Sequence, residues 1–399
     1  MPKPRAEGDD FPIRFGTPVE ILFWSLVALV AWCYAGYPLF ILALARVRPR
    51  RLQPSPAASA QPAVTVVVAV RNGRATLARR VGNLLEQLYP ADRLEVILAC
   101  NGSQDGTEAV AHELARRDPR VRVVVSPAEG GKSGAINLAI AEARTELIIF
   151  ADARQTFAHD AIAHLVEPFA DPAVGAVTGR LLVRRADLAS VEGVRMYWGM
   201  ETRLRDAESR SGSVVGATGA IYAIRRALFP VIPANLILDD VYVPMRIAMS
   251  GHRVVMALDA IAFDEPAHDQ KAEFARKRRT MVGNIQLVRA VPGILSPRRN
   301  PLFFRFLSHK LLRLLSPFCF VSLLIVSAVL AGPFYGLFFL AELAAYILGI
   351  IGLFVSLPAL AVPSAFVLVH AAIFAAVWRW RDDASRVWTP AATHASMSV

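Results

Sequence analysis

Apolar residues in this chain are grouped in two distinct ways. Long runs occupy both ends, one from about Val19 to Ala45 and another from Leu311 to Val377, the latter broken at Gly332-Pro333 and Pro358. A helix needs about 20 apolar residues to cross the hydrocarbon core of a bilayer. The first run therefore predicts one membrane span and the second three, Leu311–Ala331, Phe334–Leu357 and Ala359–Val377, separated by residues that cannot continue a helix. The middle of the chain is patterned differently. Val64–Val70 is continuous enough to be a strand buried on both faces. Leu77, Val81, Leu84, Leu85 and Leu88 then recur at helical spacing over Ala75–Leu88. A strand (Leu94–Ala99), a helix (Thr107–Arg117), a strand (Val121–Val125), a helix (Ser133–Ala143) and a strand (Glu146–Ala151) follow. This alternation predicts an α/β domain with a mostly parallel, doubly wound sheet. Ligands on such sheets bind at the carboxyl ends of the strands, and Asn72, Asn101, Asp105 and Asp152 each follow one.

Beyond Asp171 the alternation loosens. A mixed-charge helix is expected over Leu188–Ser209, carrying Met196, Tyr197 and Trp198, and a small-residue loop, Gly212–Gly219, precedes Ala220–Arg226. The expected organisation is a tail (1–18), a membrane helix (19–45), a Pro/Ala/Ser/Gln-rich linker (46–62), the α/β domain (63–300), an interfacial segment with three spans (301–380) and a second tail (381–399). Ala43-Leu44-Ala45 has the form of a signal-peptidase site. The apolar run before it is too long for a signal peptide, so a retained anchor is expected.

Composition agrees with a membrane protein: 54% of the residues are hydrophobic and the mean hydropathy is +0.40. The net charge of +11 raises the question of nucleic acid. Many of the arginines, however, lie beside the spans: Arg46, Arg48, Arg50 and Arg51 after the first, and Arg298, Arg299, Arg305, Lys310 and Arg313 before the second block. Anionic headgroups attract such residues, and no nucleic-acid-binding signature is present, so no nucleic-acid partner is expected. The same bias puts the middle domain in the cytoplasm. Arg379 and Arg381 run against it if all three later spans cross, which leaves the side of the C-terminus open. Cys33, Cys100 and Cys319 are scattered, and the histidines lack metal-ligand spacing.

Asp239-Asp240 carries the sharpest chemical signal. Alone, it also reads as an acidic first helical turn before Val241–Met249. Asp152 reads equally as a cap after its strand, and Asp105 as an Asx turn before Gly106-Thr107. Arg276–Arg279 has a bland reading as a solvated basic face, and Tyr197 and Trp198 as core. Gly130-Gly-Lys-Ser133 has the ending of a phosphate-binding P-loop, but its leading glycine is replaced by Ser126.

Taken in order, Val64–Asn72, Asn101–Thr107, Gly131-Lys132…Asn137, Asp152, Gly216–Gly219, Asp239-Asp240 and Arg276–Arg279 resemble family 2 glycosyltransferases of the GT-A type. The likeness is to the membrane-anchored, cellulose-synthase-like bacterial members, and it covers roughly Val64 to Val288. It implies a GT-A domain flanked by transmembrane helices, in the bacterial inner membrane, that moves a sugar from a nucleotide donor, UDP-linked by preference, with inversion. The acceptor would be a polysaccharide or lipid-linked glycan; a polyprenyl phosphate or glycolipid acceptor, or an inactive nucleotide-sugar-binding subunit, are the alternatives. By the same resemblance Asp240 is the general base, with Asp239 before it. Asp152 holds Mg²⁺ or Mn²⁺, and Asn72, Asn101, Asp105, Lys132, Arg154 and Arg279 bind the donor. Gly219, Tyr197 and Trp198 form the acceptor side. The chain departs from the family where Arg154 replaces the second metal carboxylate, Cys100-Asn101 the acidic pair, Asn72-Gly73 the usual Asn-Glu, and Arg276–Thr280 the Gln-x-x-Arg-Trp motif. Processive and single transfer both remain open.

Overall fold

A computed structural model describes residues 17–56, 61–183, 191–264, 270–355 and 357–378. Thr17 opens the first helix with a reciprocal cap: its hydroxyl accepts the Glu20 N–H, and the Glu20 carboxylate accepts the Thr17 N–H. Helices α1 (Pro18–Ala31) and α2 (Tyr37–Val47) are joined by a π turn at Trp32–Gly36 into one apolar rod, Pro18–Val47.

The α/β region begins with β1 (Val64–Val70), α3 (Arg74–Leu85), β2 (Leu94–Asn101), α4 (Thr107–Arg117), β3 (Val121–Ser126), α5 (Gly131–Glu142) and β4 (Leu147–Asp152), matching the expected alternation to within a few residues. The second half adds β5 (Thr156–Phe157), α6 (Ala161–Val166), β6 (Val174–Val183), α7 (Val191–Arg210), β7 (Ile221–Arg225), α8 (Asp239–Met249), β8 (Arg253–Asp264) and α9 (Gln270–Ala290). One eight-stranded sheet results, in the order β3-β2-β1-β4-β7-β6-β8-β5. The first four strands are parallel, β7 is antiparallel to both β4 and β6, β6 and β8 are parallel, and β5 is antiparallel to β8.

Alternation along β1 divides the core. Val64, Val66, Val68 and Val70 join Leu77, Val81 and Leu84 of α3 and Ile162 and Leu165 of α6. Val67 faces the other way, with Ile97 and Ile148, toward Ile136 and Ala139 of α5, Val241 and Met245 of α8 and Leu287 of α9. Both faces are covered, as a run of valines without polar alternation requires. Each fully buried aliphatic side chain contributes about 1.5–3 kcal/mol.

The C-terminal part comprises α10 (Phe303–Phe306), a π turn at Leu307–Leu311, α11 (Leu312–Val329), α12 (Pro333–Phe354) and α13 (Ala361–Trp378). Among the described residues, four helical stretches are long and apolar enough to cross a membrane: Pro18–Val47, Phe303–Val329, Pro333–Phe354 and Ala361–Trp378. Phe23, fully buried, packs edge-on to the rings of Tyr335 and Phe338 at 5.1 Å, tying α1 to α12.

Two features refine the organisation expected from the sequence. The second apolar stretch starts at Phe303 rather than Leu311, because its first two turns carry polar side chains whose partners lie in the α/β domain. His309 pairs with Glu208 (2.8 Å) and Glu201 (3.0 Å), and Arg313 pairs with Glu201 (2.8 Å). Tyr37 of α2 donates to the same Glu208 carboxylate (2.5 Å). Arg305 donates to the carbonyls of Glu208, Ser211 and Ser213. The presumed linker, in turn, is strapped to the domain: the Arg50 N–H bonds the Arg210 carbonyl (2.7 Å), Gln53 the Asp171 carboxylate (2.9 Å) and Ser55 the Ala170 carbonyl (2.8 Å).

Glu208 is fully buried and His309 nearly so, so deleting one partner strands the other. Glu208→Ala is expected to cost about 3–5 kcal/mol, seen as a large drop in the thermal midpoint of the detergent-solubilised chain. Glu113→Ala, which removes an exposed partner of Arg116 and Arg117, should leave that midpoint nearly unchanged.

Candidate active site

Register fixes the rim of the sheet. Ala69 of β1 lies level with Ala99 of β2 and Asp152 of β4, so Asn72, Asn101 and Asp152 emerge along one edge. Because β7 runs antiparallel to β4, with Ala151 opposite Ile221, the Gly216–Gly219 segment entering β7 arrives at that same edge. The stretch leading to Asp239 is pinned from two sides. Asn137 of α5 exchanges two hydrogen bonds with Ile232 (2.8 and 3.0 Å), and Ser133 donates to the Leu236 carbonyl (3.1 Å). From α9, the Gln286 side chain accepts the Ile237 N–H (3.1 Å). Asp239 and Asp240 then open α8. The first-turn reading of this pair is therefore the observed one, and the helix N-terminus favours the negative charge.

At the centre, the Lys132 ammonium lies between two carboxylates, 3.3 Å from Asp239 and 3.5 Å from Asp152. These groups and Gly219 border a cleft of about 200 Å³. Burial disfavours the charge on Lys132, but Asp239, Asp152 and Asp240 outweigh it and hold the pKa above the ordinary lysine value. Asp240 is pushed up to about 6, first by burial and then by the Asp239 charge, against the pull of Lys132 and Lys310. Gly219 allows the close approach: a Cβ there would stand 2.9 Å from the Asp240 Oδ2 and make that carboxylate shift. The Ala217 N–H also holds the Asp240 carbonyl at 2.7 Å. Beneath the cluster, Tyr222 stacks on Phe150 at 4.2 Å, and its buried hydroxyl has no hydrogen-bond partner among the described residues.

The other expected residues divide. Asn101 sits at the rim; its amide donates to the Pro127 carbonyl (2.9 Å), while its buried Oδ1 accepts nothing among the described residues. Asn72 adopts a left-handed conformation (φ 51°) and accepts the Gln104 N–H (2.9 Å), which fits the tolerance of asparagine for that region. Asp105 builds the same turn: it accepts the Arg74 and Thr107 N–H groups (3.0 Å each) and the Thr107 hydroxyl. Burial raises its pKa, but these bonds outweigh it and hold the carboxyl below its usual range. Its Asx-turn reading is thus the observed one. Arg154 pairs with Asp264 at 2.8 Å. Arg279 lies partly buried on α9, and no described contact joins it to the Lys132 cluster. The side chains of Tyr197 and Trp198 lie outside the described residues.

No signal in the sequence marked Asp264, or Arg80, a buried guanidinium held 4.1 Å over the Phe157 ring and within electrostatic reach of Asp152. The seven-residue spacing of Glu201 and Glu208 would have marked a common helix face. Among the described residues no group of three or more His, Cys, Asp or Glu side chains is arranged to hold a metal ion unaided. Asp152 and Asp239 nonetheless already attract one cation, the Lys132 ammonium. Hard carboxylate oxygens suit Mg²⁺ or Mn²⁺ completed by ligand phosphates, and Asp152 is the more exposed of the two.

Comparison with known proteins agrees with this geometry. Residues 65–232 match the family described as glycosyl transferase family 2. A beta-monoglucosyldiacylglycerol synthase from Synechocystis sp. is 30% identical over 169 residues, covering 41% of this chain and 35% of the relative. An N-acetylglucosaminyltransferase from Rhizobium meliloti is 32% identical over 171 residues, covering 42% of this chain and 40% of the relative. The chain thus spans well under half the length of these relatives. Among solved structures, the mannosyltransferase PcManGT from Pyrobaculum calidifontis, in complex with GDP-Man and Mn²⁺, superimposes with a TM-score of 0.67 at 25% identity, over 91% of this chain and all of that one.

The raised pKa of Asp240 has a sign that can be measured. Unfolded, the carboxyl ionises near its ordinary 3.8; folded, near 6. The folded state therefore holds its proton more tightly, and stability falls as pH rises through that window. Asp240→Asn removes the penalty. It should melt higher than the parent chain at pH 7.5 and no higher at pH 4, by differential scanning calorimetry.

Proposed function

We propose that this chain, built around a family 2 glycosyltransferase domain, is a membrane-bound, inverting glycosyltransferase that moves a sugar from a nucleotide-sugar donor to an acceptor held at the bilayer. The arginines flanking the spans support a cytoplasmic active site in a bacterial inner membrane. The observation that carries the reading is the Lys132 ammonium held between Asp152 and Asp239, with Asp240 tuned toward neutrality beside them.

The donor would lie across the carboxyl edge of β1, β2 and β4. The turn built by Asn72 and Asp105 shapes the nucleoside end, where the unpaired Asn101 Oδ1 is free to accept an N–H of the base. Lys132 and the arginines Arg154 and Arg279 supply positive charge to the diphosphate. A divalent ion held by Asp152 would neutralise the leaving group when bound. An acceptor hydroxyl attacks the anomeric carbon opposite the diphosphate; the new C–O bond forms as the bond to the phosphate oxygen breaks, and the hydroxyl proton passes to Asp240. A carboxyl with pKa near 6 is a better proton acceptor than an ordinary aspartate and is still ionised at pH 7. Burial raises that value first, Asp239 adds to it, and Lys132 opposes it. Gly219 leaves the acceptor side of Asp240 uncovered, with Tyr197 and Trp198 on the helix nearby in sequence terms.

A lipid acceptor is the second reading, favoured by the apolar helices packed against the domain and by the name of the diacylglycerol-modifying relative. An inactive subunit is disfavoured by the retained carboxylate cluster.

The reading is tested with detergent-solubilised chain and a panel of UDP- and GDP-sugars in Mn²⁺, Mg²⁺ or EDTA. Release of nucleoside diphosphate from one donor, suppressed by EDTA and by Asp152→Ala, is the expected result. Asp240→Asn should lower transfer about 10²–10⁴-fold while equilibrium binding of the donor is retained. Turnover close to the parent level in Asp240→Asn would remove this residue from the base role. No turnover of any donor by folded protein would overturn the enzyme reading.

A further inference from the structure

Thr218 and Gly219 border different spaces. Gly219 lines the cleft with Lys132 and Asp152, whereas Thr218 lines a second, shallow hollow with Arg180 of β6 and Glu201 and Arg205 of α7. Glu201, the carboxylate of this wall, is fully engaged: one oxygen meets His309 at 3.0 Å and the other Arg313 at 2.8 Å. The two arginines have no carboxylate partner among the described residues. Arg205 donates only to neutral oxygens, those of Thr218 (2.9 Å), Gly216 (2.8 Å) and Thr178 (3.5 Å). The Arg180 Nε is buried with no acceptor at all among the described residues. Lys310, on the turn leading into α11, lies within electrostatic reach of Arg205, Glu201 and Asp240 and makes no ion pair among the described residues.

Partly buried cations without counterions are costly, and a guanidinium with free donors is suited to bidentate contact with a phosphate. The hollow adjoins the loop that holds Asp240, and its α7 wall is bound through Glu201 to the first helix of the C-terminal apolar block. We propose that this hollow is the headgroup subsite of the acceptor, and that it takes a phosphate ester carried on a lipid. This rests on the glycosyltransferase reading. A general base is needed to deprotonate a hydroxyl, not a phosphate oxygen that is already ionised at neutral pH. The phosphate is therefore a handle, and the acceptor is a lipid whose headgroup bears both a phosphate and a free hydroxyl.

The test is calorimetric binding to the full chain in dodecyl maltoside, with dioctanoyl phosphatidylglycerol, dioctanoylglycerol and inorganic phosphate as probes. The phosphatidylglycerol should bind more tightly than the diacylglycerol and weaken with added salt. Arg180→Gln should reduce its affinity about tenfold or more, as loss of a charge-assisted contact does. Arg180→Lys should recover part of this, and the distant Arg116→Gln should have no effect. Lys310→Gln, a separate site on another element, should move in the same direction if Arg180→Gln fails to fold. Equal affinity of parent and Arg180→Gln chains for the phospholipid overturns the proposal. So does inorganic phosphate binding as tightly as the phospholipid through Arg180, which would make the site one for free phosphate. Phospholipid binding through Arg180 by a chain that turns over no nucleotide sugar would keep the anion site and overturn the enzyme reading instead.

Discussion

Three carboxylates converge on one ammonium, and the rest of the site is arranged around that encounter. Asp152 comes from the end of a central strand, Asp239 and Asp240 from the start of a helix far along the chain, and Lys132 from the first turn of α5 between them. Two neighbouring aspartates could not both stay ionised in a partly buried cleft without a nearby cation. Lys132 supplies it, holding Asp239 by direct contact, and the repulsion that remains is concentrated on Asp240. Burial and this asymmetry together push the Asp240 pKa up to about 6. Hydrogen bonds from α5 and α9 to residues 232–237 hold the segment that leads into the pair.

Helix α7 connects this cluster to the apolar helices. Its Arg205 braces the Gly216–Thr218 loop that carries the backbone contact to Asp240. Its glutamates 201 and 208, seven residues apart, bind His309 and Arg313 at the head of the first C-terminal apolar stretch. Tyr37 brings the N-terminal rod to the same buried carboxylate. A polar seam of this kind is worth less as net stability than as a fixed geometry, since swapping it for apolar packing is often neutral. Here it fixes how the site stands relative to the apolar helices, and hence where an acceptor from the bilayer would meet Asp240.

The rim residues show how one residue type serves two ends. Asp105 and Asp152 both follow strands in the sequence, and the same alternatives applied to each. The structure gives Asp105 two donors from Thr107 in its own turn and a third from the Arg74 backbone, whereas Asp152 has a lysine from another element and an exposed edge. Arg154, which stands where a second metal carboxylate was expected, is turned to Asp264 at the end of β8.

The sequence by itself determined the architecture, because periodicity reports burial directly. The valine run of β1, the helical spacing of Leu77, Val81 and Leu84, and the four apolar stretches each specify an element through which faces must leave water. The resemblance to family 2 glycosyltransferases, not the pattern, singled out Asp152, Lys132, Asp239 and Asp240. Only the tertiary structure decided which of those polar residues meet. Whether Asp105 caps a turn or faces the cleft depends on the backbone of Arg74, from another segment. Whether Lys310 and His309 lie in the apolar block or against the domain depends on glutamates a hundred residues earlier in the chain. Hydrophobic pattern is local and additive, whereas the pairing of charges is set by distances between elements, and those exist only once the sheet and its helices have packed.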